Sequence, residues 1–339
     1  MVRKFSKVLA LVLVLVFGLS ACSGGSTGPQ QTSGTGGDEK FTIKICWNTS
    51  DNEADPYAIA AREFKKAAEE KSEGRITVEL YPNEQLGKER DVLEGMSMGT
   101  IDMSVMTNAP ISGFVPQFQV LDLPFIFQDR AQAYEVLDGP LGKELLELLK
   151  SKNIIGLGFA EGGFRQMINN VRAVNQPSDV EGVKYRVMEN PVYIGMFKYL
   201  GSNPTPMSWG ETFTAVQQKT IDGLEIPIPV IHQNKYYEVC KYLSLTNHTY
   251  SPLVMMISKS TWDKLPSDLQ SVVQESVTIA VTNQRKKNAE NEAALLEDLK
   301  AKGMEINEVA NLGAFKEKVT PLYLEFEDEI GKELLDKFL

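Results

Sequence analysis

Phe41-Thr42-Ile43-Lys44-Ile45-Cys46-Trp47 opens the stretch that decides the fold class. Phe41, Ile43, Ile45 and Trp47 alternate with polar or small partners, the pattern of a strand with one face on a core. Asp55-Pro56 then supplies an N-cap and a first-turn proline, and Tyr57, Ala61, Phe64 and Ala68 recur at helical spacing as far as Gly74. Ile76, Val78 and Leu80 alternate again until Pro82. Lys88–Met98 reads as a second helix stopped by Gly99, and Ile101–Met106 as a third strand. Strand, helix, strand, helix, strand predicts a parallel sheet, because parallel neighbours need a crossover helix between them. A helix at Arg130–Lys150 and an apolar strand at Ile154–Phe159 continue the α/β theme.

A second α/β run follows. Val183–Met188 reads as a strand, Val192–Leu200 as a helix closed by Gly201, Glu211–Gln218 as another helix, Tyr236–Thr246 as mixed material and Leu253–Ser258 as a compact strand. Beyond Pro266, Ser267–Lys302 holds neither proline nor glycine. Unbroken, these 36 residues make a helix of roughly 54 Å, longer than one small domain is wide. Either this helix is a strut crossing two lobes, or it is two helices with a kink near Thr278–Thr282.

Composition narrows the function classes. The 339 residues suit two domains or one large α/β domain, and 35 Lys and Arg against 45 Asp and Glu leave a formal net charge of −10. With no basic cluster beyond Arg285-Lys286-Lys287, nucleic-acid binding is excluded as a reading. The 3 cysteines include no Cys-x-x-Cys pair, and only His232 and His248 are available for histidine chemistry. Neither a metal nor a cofactor is expected, and composition favours binding over catalysis.

The N-terminus reads as an address. Arg3, Lys4 and Lys7 precede the apolar run Val8–Leu19, too short to span a bilayer comfortably but suited to a signal-peptide core. Leu19-Ser20-Ala21-Cys22 resembles a bacterial lipobox, which implies lipidation of Cys22 and cleavage before it. Residues 22–39 are then the lipidated cysteine and a flexible tether, and Ser23–Gly37 has the Ser/Gly/Thr/Gln/Pro composition for it. Removing residues 1–21 takes away three positive charges and leaves about −10 − 3 = −13. Gly24-Gly25-Ser26-Thr27-Gly28 matches the G-x-S-x-G hydrolase pattern, but no strand precedes it and no helix follows, so it is compositional. The expected location is extracytoplasmic, on a lipid leash.

The most specific signal lies further on, in Val183-Lys184-Tyr185-Arg186-Val187, then Leu200–Glu211 (LGSNPTPMSWGE), then Val216–Glu225 (VQQKTIDGLE). Together with Leu80-Tyr81-Pro82, Gln85-Leu86-Gly87, Gly99-Thr100-Ile101-Asp102, Lys235–Val239 and Trp262–Pro266, it closely resembles the substrate-binding proteins of TRAP (tripartite ATP-independent periplasmic) transporters, in the branch for C4-dicarboxylates, sialic acid and other organic acids. That resemblance covers residues 40–310. It implies a two-lobed periplasmic-binding-protein clamp, each lobe a mixed, mostly parallel sheet flanked by helices, with a long helix spanning both. Residues 40–162 with 251–285 would form lobe I, and 163–250 with 286–339 lobe II. It further implies a non-enzymatic binding subunit that closes on a small organic acid and delivers it to ion-gradient-driven TRAP membrane subunits; the protein is expected to be a monomer.

A carboxylate drawn into a closed cleft must regain hydrogen bonds, and arginine's planar fork gives two charge-assisted ones. The resemblance puts the clamping arginine at Arg186. Arg165 matches a second arginine, either on the ligand or in an ion pair, and Trp209 a cleft aromatic or a core residue. Glu211 is a helix N-terminal charge or a ligand contact. Asn48, Glu89, Thr107 and Asn108 follow strands or turns where an α/β sheet presents side chains to a cleft. Leu224-Glu225-Ile226-Pro227 departs from the family's Gln-Glu-Asn-Pro: Ile226 cannot donate where asparagine does. With Trp209, Ile226 suggests an aromatic or branched monocarboxylate. A binding protein for an ATP-driven importer or sensor, or an extracytoplasmic enzyme on small acids, are the rival readings. Cys46 and Cys240 are expected as buried free thiols.

Overall fold

A computed structural model describes residues 39–339; the expected signal peptide at 1–21, the expected lipidation site Cys22 and most of the expected tether lie outside the described residues. The strands run β1 (Phe41–Cys46), β2 (Ile76–Tyr81), β3 (Met103–Thr107), β4 (Ile154–Asn169), β5 (Tyr185–Val187), β6 (Thr205–Pro206), β7 (Gly223–Pro227), β8 (Tyr242–Leu245), β9 (Tyr250–Ser258) and β10 (Glu305–Glu308). The α-helices of six residues or more are α1 (Pro56–Lys71), α2 (Glu89–Met98), α3 (Arg130–Asp138), α4 (Pro140–Leu148), α5 (Pro191–Tyr199), α6 (Trp209–Gln217), α7 (Ile228–Gln233), α8 (Ser267–Ala301) and α9 (Leu312–Val319).

The local grammar holds where side chains dictate it. Asp55 caps α1 by accepting from the Tyr57 and Ala58 amides, and Pro56 occupies the first helical position. Gly99 ends α2 with φ +78°, a conformation glycine adopts without steric cost. One helix expected over Arg130–Lys150 is instead two, α3 and α4, broken at Gly139-Pro140, because proline cannot donate to the ladder and its ring clashes with the preceding turn.

Strand order in the sheet is β2-β1-β3-β9-β4-β7-β5-β6, with β8 on β4 and β10 on β8. Pairing is parallel at β1/β2, β1/β3, β5/β6, β5/β7 and β8/β10, and antiparallel wherever β4 or β9 takes part. The sheet therefore has two halves, one around β1–β3 and one around β5–β8, stitched together by β4 and β9. Both stitching strands run past the short apolar segments that periodicity picks out. Periodicity misses the remainder of β4 because Glu161-Gly162-Gly163 interrupts it. There the register with β9 slips by a bulge and Gly163 takes φ +109°. Beyond that point β4 turns to pair with β7, from Arg165 opposite Pro227 to Asn169 opposite Gly223.

Alternate residues of β9 enter opposite cores: Leu253, Met255 and Ile257 pack with Ile43, Ile45 and Phe64, while Val254 and Met256 pack with Phe118, Phe159 and Phe197. Burial on both faces is why this strand reads as an uninterrupted apolar run. The strut is a single 35-residue helix, roughly 52 Å long, with no break at Thr278–Thr282. Both threonine hydroxyls donate to the carbonyl one turn back, at 3.1 and 2.9 Å, and remain in the helix. α8 lies along α1 and β4 and reaches α7, so it touches both halves of the sheet. Cys46 and Cys240 are free and buried, and burial pushes both thiols up to about 12.

Candidate functional site

Strand ends and helix starts converge where the two halves face each other. Asn48 follows β1, Thr107 ends β3, Glu89 begins α2, Arg165 lies on β4, Arg186 on β5, Ile226 on β7, and Trp209 begins α6. All seven line one narrow recess, with about 20 Å³ of open room. Glu89, Arg186 and Met188 are shared with an adjoining pocket of about 170 Å³, which Phe114 and Met207 also line. Asn108 is not part of that lining. It is fully buried, and its amide donates to the Phe118 carbonyl at 2.8 Å, so it braces the turn after β3. A larger cavity of about 530 Å³ sits between α4 and α8. Its arginine, Arg285, is committed to both oxygens of Asp138 at 2.7 and 2.9 Å, and the other cation lining it is the exposed Lys143.

The two arginines of the recess differ in kind. Arg165 is 2% exposed and forks onto Glu225, with Nη2 donating to Oε1 at 2.9 Å and to the Glu225 carbonyl at 2.6 Å, and Nε donating to Oε2. Nη1 donates to Ser251 Oγ at 3.2 Å. Burial opposes this cation, but the adjacent Glu225 carboxylate outweighs it and the arginine's pKa moves up. Burial likewise opposes the Glu225 charge, and Arg165 with His248 hold that carboxyl below its usual range. His248 Nε2 lies 3.3 Å from Glu225, and Nδ1 lies 2.7 Å from the Thr246 hydroxyl. Burial lowers the His248 pKa, which fits a neutral ring donating from Nε2 and accepting at Nδ1.

Arg186 is also 2% exposed, yet its fork meets a backbone carbonyl: Nε and Nη2 donate to Met207 O at 2.9 and 2.7 Å. Its guanidinium lies 6.0 Å from the Trp209 ring centroid. Among the described residues, no carboxylate comes within ion-pair distance of it; the ion pair in this recess is Arg165 with Glu225. Burial drives the Arg186 pKa down, the mark of a cation whose lost hydration is not replaced by a counter-charge.

Two acceptors facing it from the other half are equally unsatisfied. Asn48 Oδ1 and Glu89 Oε1 are sealed from solvent and have no hydrogen-bond partner. Glu89 is partly exposed with Oε1 sealed, and burial raises its carboxyl to about 7 against the opposing pull of Arg186.

Across the mouth the halves touch. Lys88 Nζ meets Glu211 Oε1 at 2.5 Å, the Gly210 amide at the start of α6 donates to Glu84 Oε1 at 3.2 Å, and Asn52 Nδ2 donates to the Gln233 carbonyl at 2.7 Å. Glu211 is thus a rim contact. Glu84 is held in a turn where it and Asn83 both take positive φ, at 57° and 55°. Sequence reading alone did not single out Glu225, His248, Tyr57 or Glu84. Glu225 had a usable signal, a carboxylate inside an otherwise apolar strand; the other three had none.

The matching family is described as bacterial extracellular solute-binding protein, family 7, and its match covers residues 47–329. A solute-binding protein of Verminephrobacter eiseniae is 39% identical over 296 residues, 87% of this chain and 88% of the relative. The 2,3-diketo-L-gulonate-binding periplasmic protein of Escherichia coli is 33% identical over 298 residues, 88% of this chain and 87% of the relative. Among solved structures, a TRAP periplasmic solute-binding protein from Polaromonas bound to D-erythronate superposes with a TM-score of 0.85 at 37% identity, covering 88% of this chain and 98% of the other. The sugar-acid-binding protein of Advenella mimigardefordensis with galactonate gives 0.86 at 34% identity, covering 89% and 97%.

Proposed function

This chain belongs to family 7 of the bacterial extracellular solute-binding proteins, the TRAP solute-binding proteins, and from that premise we propose that it captures a small hydroxylated organic acid by closing its two lobes on the ligand carboxylate, with Arg186 as the clamp. The observation that carries this reading is a buried guanidinium with two donors on one carbonyl and no carboxylate partner. An unpaired buried cation is costly to a fold, and a carboxylate ligand offsets that cost with two parallel charge-assisted bonds. Arg165, held by Glu225, contributes a fixed floor instead of the anchoring charge.

Trp209 and Ile226 give the carbon skeleton an apolar side to rest on. Their pairing suggested an aromatic or branched acid, but the orphaned acceptors Asn48 Oδ1 and Glu89 Oε1 call for donors, and hydroxyl groups supply them. Relatives that hold D-erythronate and galactonate favour the same class. Lobe I comprises 40–162 with 251–285 and lobe II 163–250 with 286–339, hinged where β4 passes Gly162-Gly163, where β9 crosses, and along α8. Delivery is to TRAP membrane subunits, and the protein is a monomer held outside the cytoplasm by lipid on Cys22. Family membership supports a binding role rather than an enzymatic one.

The test is calorimetry of purified, ligand-stripped protein against a panel of small organic acids, with Arg186→Ala beside the wild type. Binding by the wild type alone supports the clamp; equal binding by both proteins overturns it.

A further inference from the structure

The charges and orphaned atoms of the recess limit how many carboxylates a ligand can carry. The cations are accounted for one by one. Arg165 is neutralised by Glu225, and His248 is kept uncharged by burial. In the outer pocket Lys88 is paired with Glu211 at 2.5 Å and Arg90 with Glu94 at 3.1 Å. Arg186 alone among these lacks a carboxylate partner. Facing it from the other half of the recess is an acid, Glu89.

The sealed atoms without a partner on that wall, Asn48 Oδ1 and Glu89 Oε1, are both acceptors, whereas Ser208 Oγ in the adjoining pocket can donate or accept. Asn48 is 9% exposed and lines the recess beside Glu89. A hydroxyl can donate to either atom, whereas an ionised carboxylate has no proton to give. A ligand's first carboxylate satisfies Arg186; a second would set acceptor against acceptor and charge against charge, without a free cation to receive it. We infer that the cleft selects hydroxylated monocarboxylates and rejects dicarboxylates, and that Glu89 is the residue imposing this limit. The inference rests on the organic-acid reading above and narrows it. Burial already raises the Glu89 carboxyl, so the wall resists even the one negative charge it carries.

Matched pairs of acids test this, because an aldonate and its aldarate differ only in the terminal hydroxymethyl or carboxylate. The probes are D-erythronate with meso-tartrate and D-galactonate with galactarate, titrated calorimetrically into wild-type and Glu89→Gln protein at pH 8. Glutamine keeps the size and one acceptor, removes the charge, and adds a donor for a second carboxylate. The wild type binds an aldonate at least about tenfold more tightly than its aldarate, and Glu89→Gln narrows that gap by about tenfold or more. A thermal melt of the ligand-free variant no lower than that of the wild type at pH 8 shows that it is folded, whatever its affinity for the aldonates. An aldarate bound by the wild type as tightly as its aldonate overturns the exclusion, and an unchanged gap in Glu89→Gln overturns the role of Glu89. A hydroxyl-free branched or aromatic monocarboxylate bound as tightly as the aldonates overturns the selection for hydroxyls. Failure of both proteins to bind any acid of the wider panel sinks the organic-acid reading itself, an outcome distinct from the other three.

Discussion

The same substitution at the two arginines should give opposite signatures. Arg165→Met leaves Glu225, which is 0% exposed, as a buried carboxylate facing only a neutral imidazole. Breaking one partner out of a buried ion pair costs about 3–5 kcal/mol. Arg186→Met strands no charge: it removes an unpaired cation, keeps an apolar stem of similar length against Trp209, and frees one carbonyl at the edge of a cavity that water can reach. Those effects oppose one another, so its stability should stay within about 1–2 kcal/mol of the wild type. Binding should invert the order. Arg186→Met loses the ligand's charged partner, a loss of about 2–5 kcal/mol, or roughly thirty- to several-thousandfold in Kd. Urea unfolding of the ligand-stripped proteins measures the first quantity and calorimetry the second. Glu225→Gln added to Arg165→Met should recover much of the lost stability, since the stranded charge is gone. If Arg186→Met proves as destabilising as Arg165→Met, Arg186 has a structural counter-charge and is not an open anion site. If it binds the ligand normally, the clamp lies elsewhere.

Three further outcomes follow from single features. The folded state raises the Glu89 carboxyl to about 7, so it holds a proton that the unfolded chain releases near pH 4.5. Stability from this group is present below that pH and is lost as pH rises through 7. Glu89→Gln should therefore match the wild type near pH 4.5 and exceed it at pH 8, by at most about 3 kcal/mol, in thermal melts of ligand-free protein. The groups acting on Glu89 besides burial are Arg186, Arg165, Glu84 and Glu189, and none is altered in that comparison. Glu84 caps the start of α6 across the mouth through the Gly210 amide. Glu84→Gln weakens that charge–dipole contact by about 0.5–1 kcal/mol and should speed ligand release about two- to fivefold in stopped-flow displacement; an unchanged rate would show that this contact does not hold the cleft shut. Finally, Cys46 and Cys240, both buried and raised to about 12, should resist a thiol reagent in the native protein and react only on denaturation.

The sequence by itself determined the elements whose causes are local. Alternation at Phe41–Trp47, the Asp55-Pro56 cap, the Gly99 stop and the helical character of Ser267–Ala301 are each written in neighbouring residues, whereas only the fold shows that this helix runs without a kink. Family motifs also marked Arg186, Arg165, Trp209 and Ile226 as cleft residues. What the linear chain could not state was partnership. Arg165 and Arg186 look alike as two arginines on strands. Only the pairing of β4 with β7, which sets Arg165 opposite Pro227 and within reach of Glu225, leaves one neutralised and the other open. The break at Gly139-Pro140 was local and overlooked, whereas the full run of β4 through Glu161-Gly162-Gly163 depends on β9 lying alongside it. Asn108 follows a strand as Thr107 does, yet one side chain turns to Phe118 and the other to the recess. Local propensity acts through residues a few positions apart. The charge state and reach of a binding group are set by neighbours brought together from 21 to 86 positions away, and those exist only once the chain has folded.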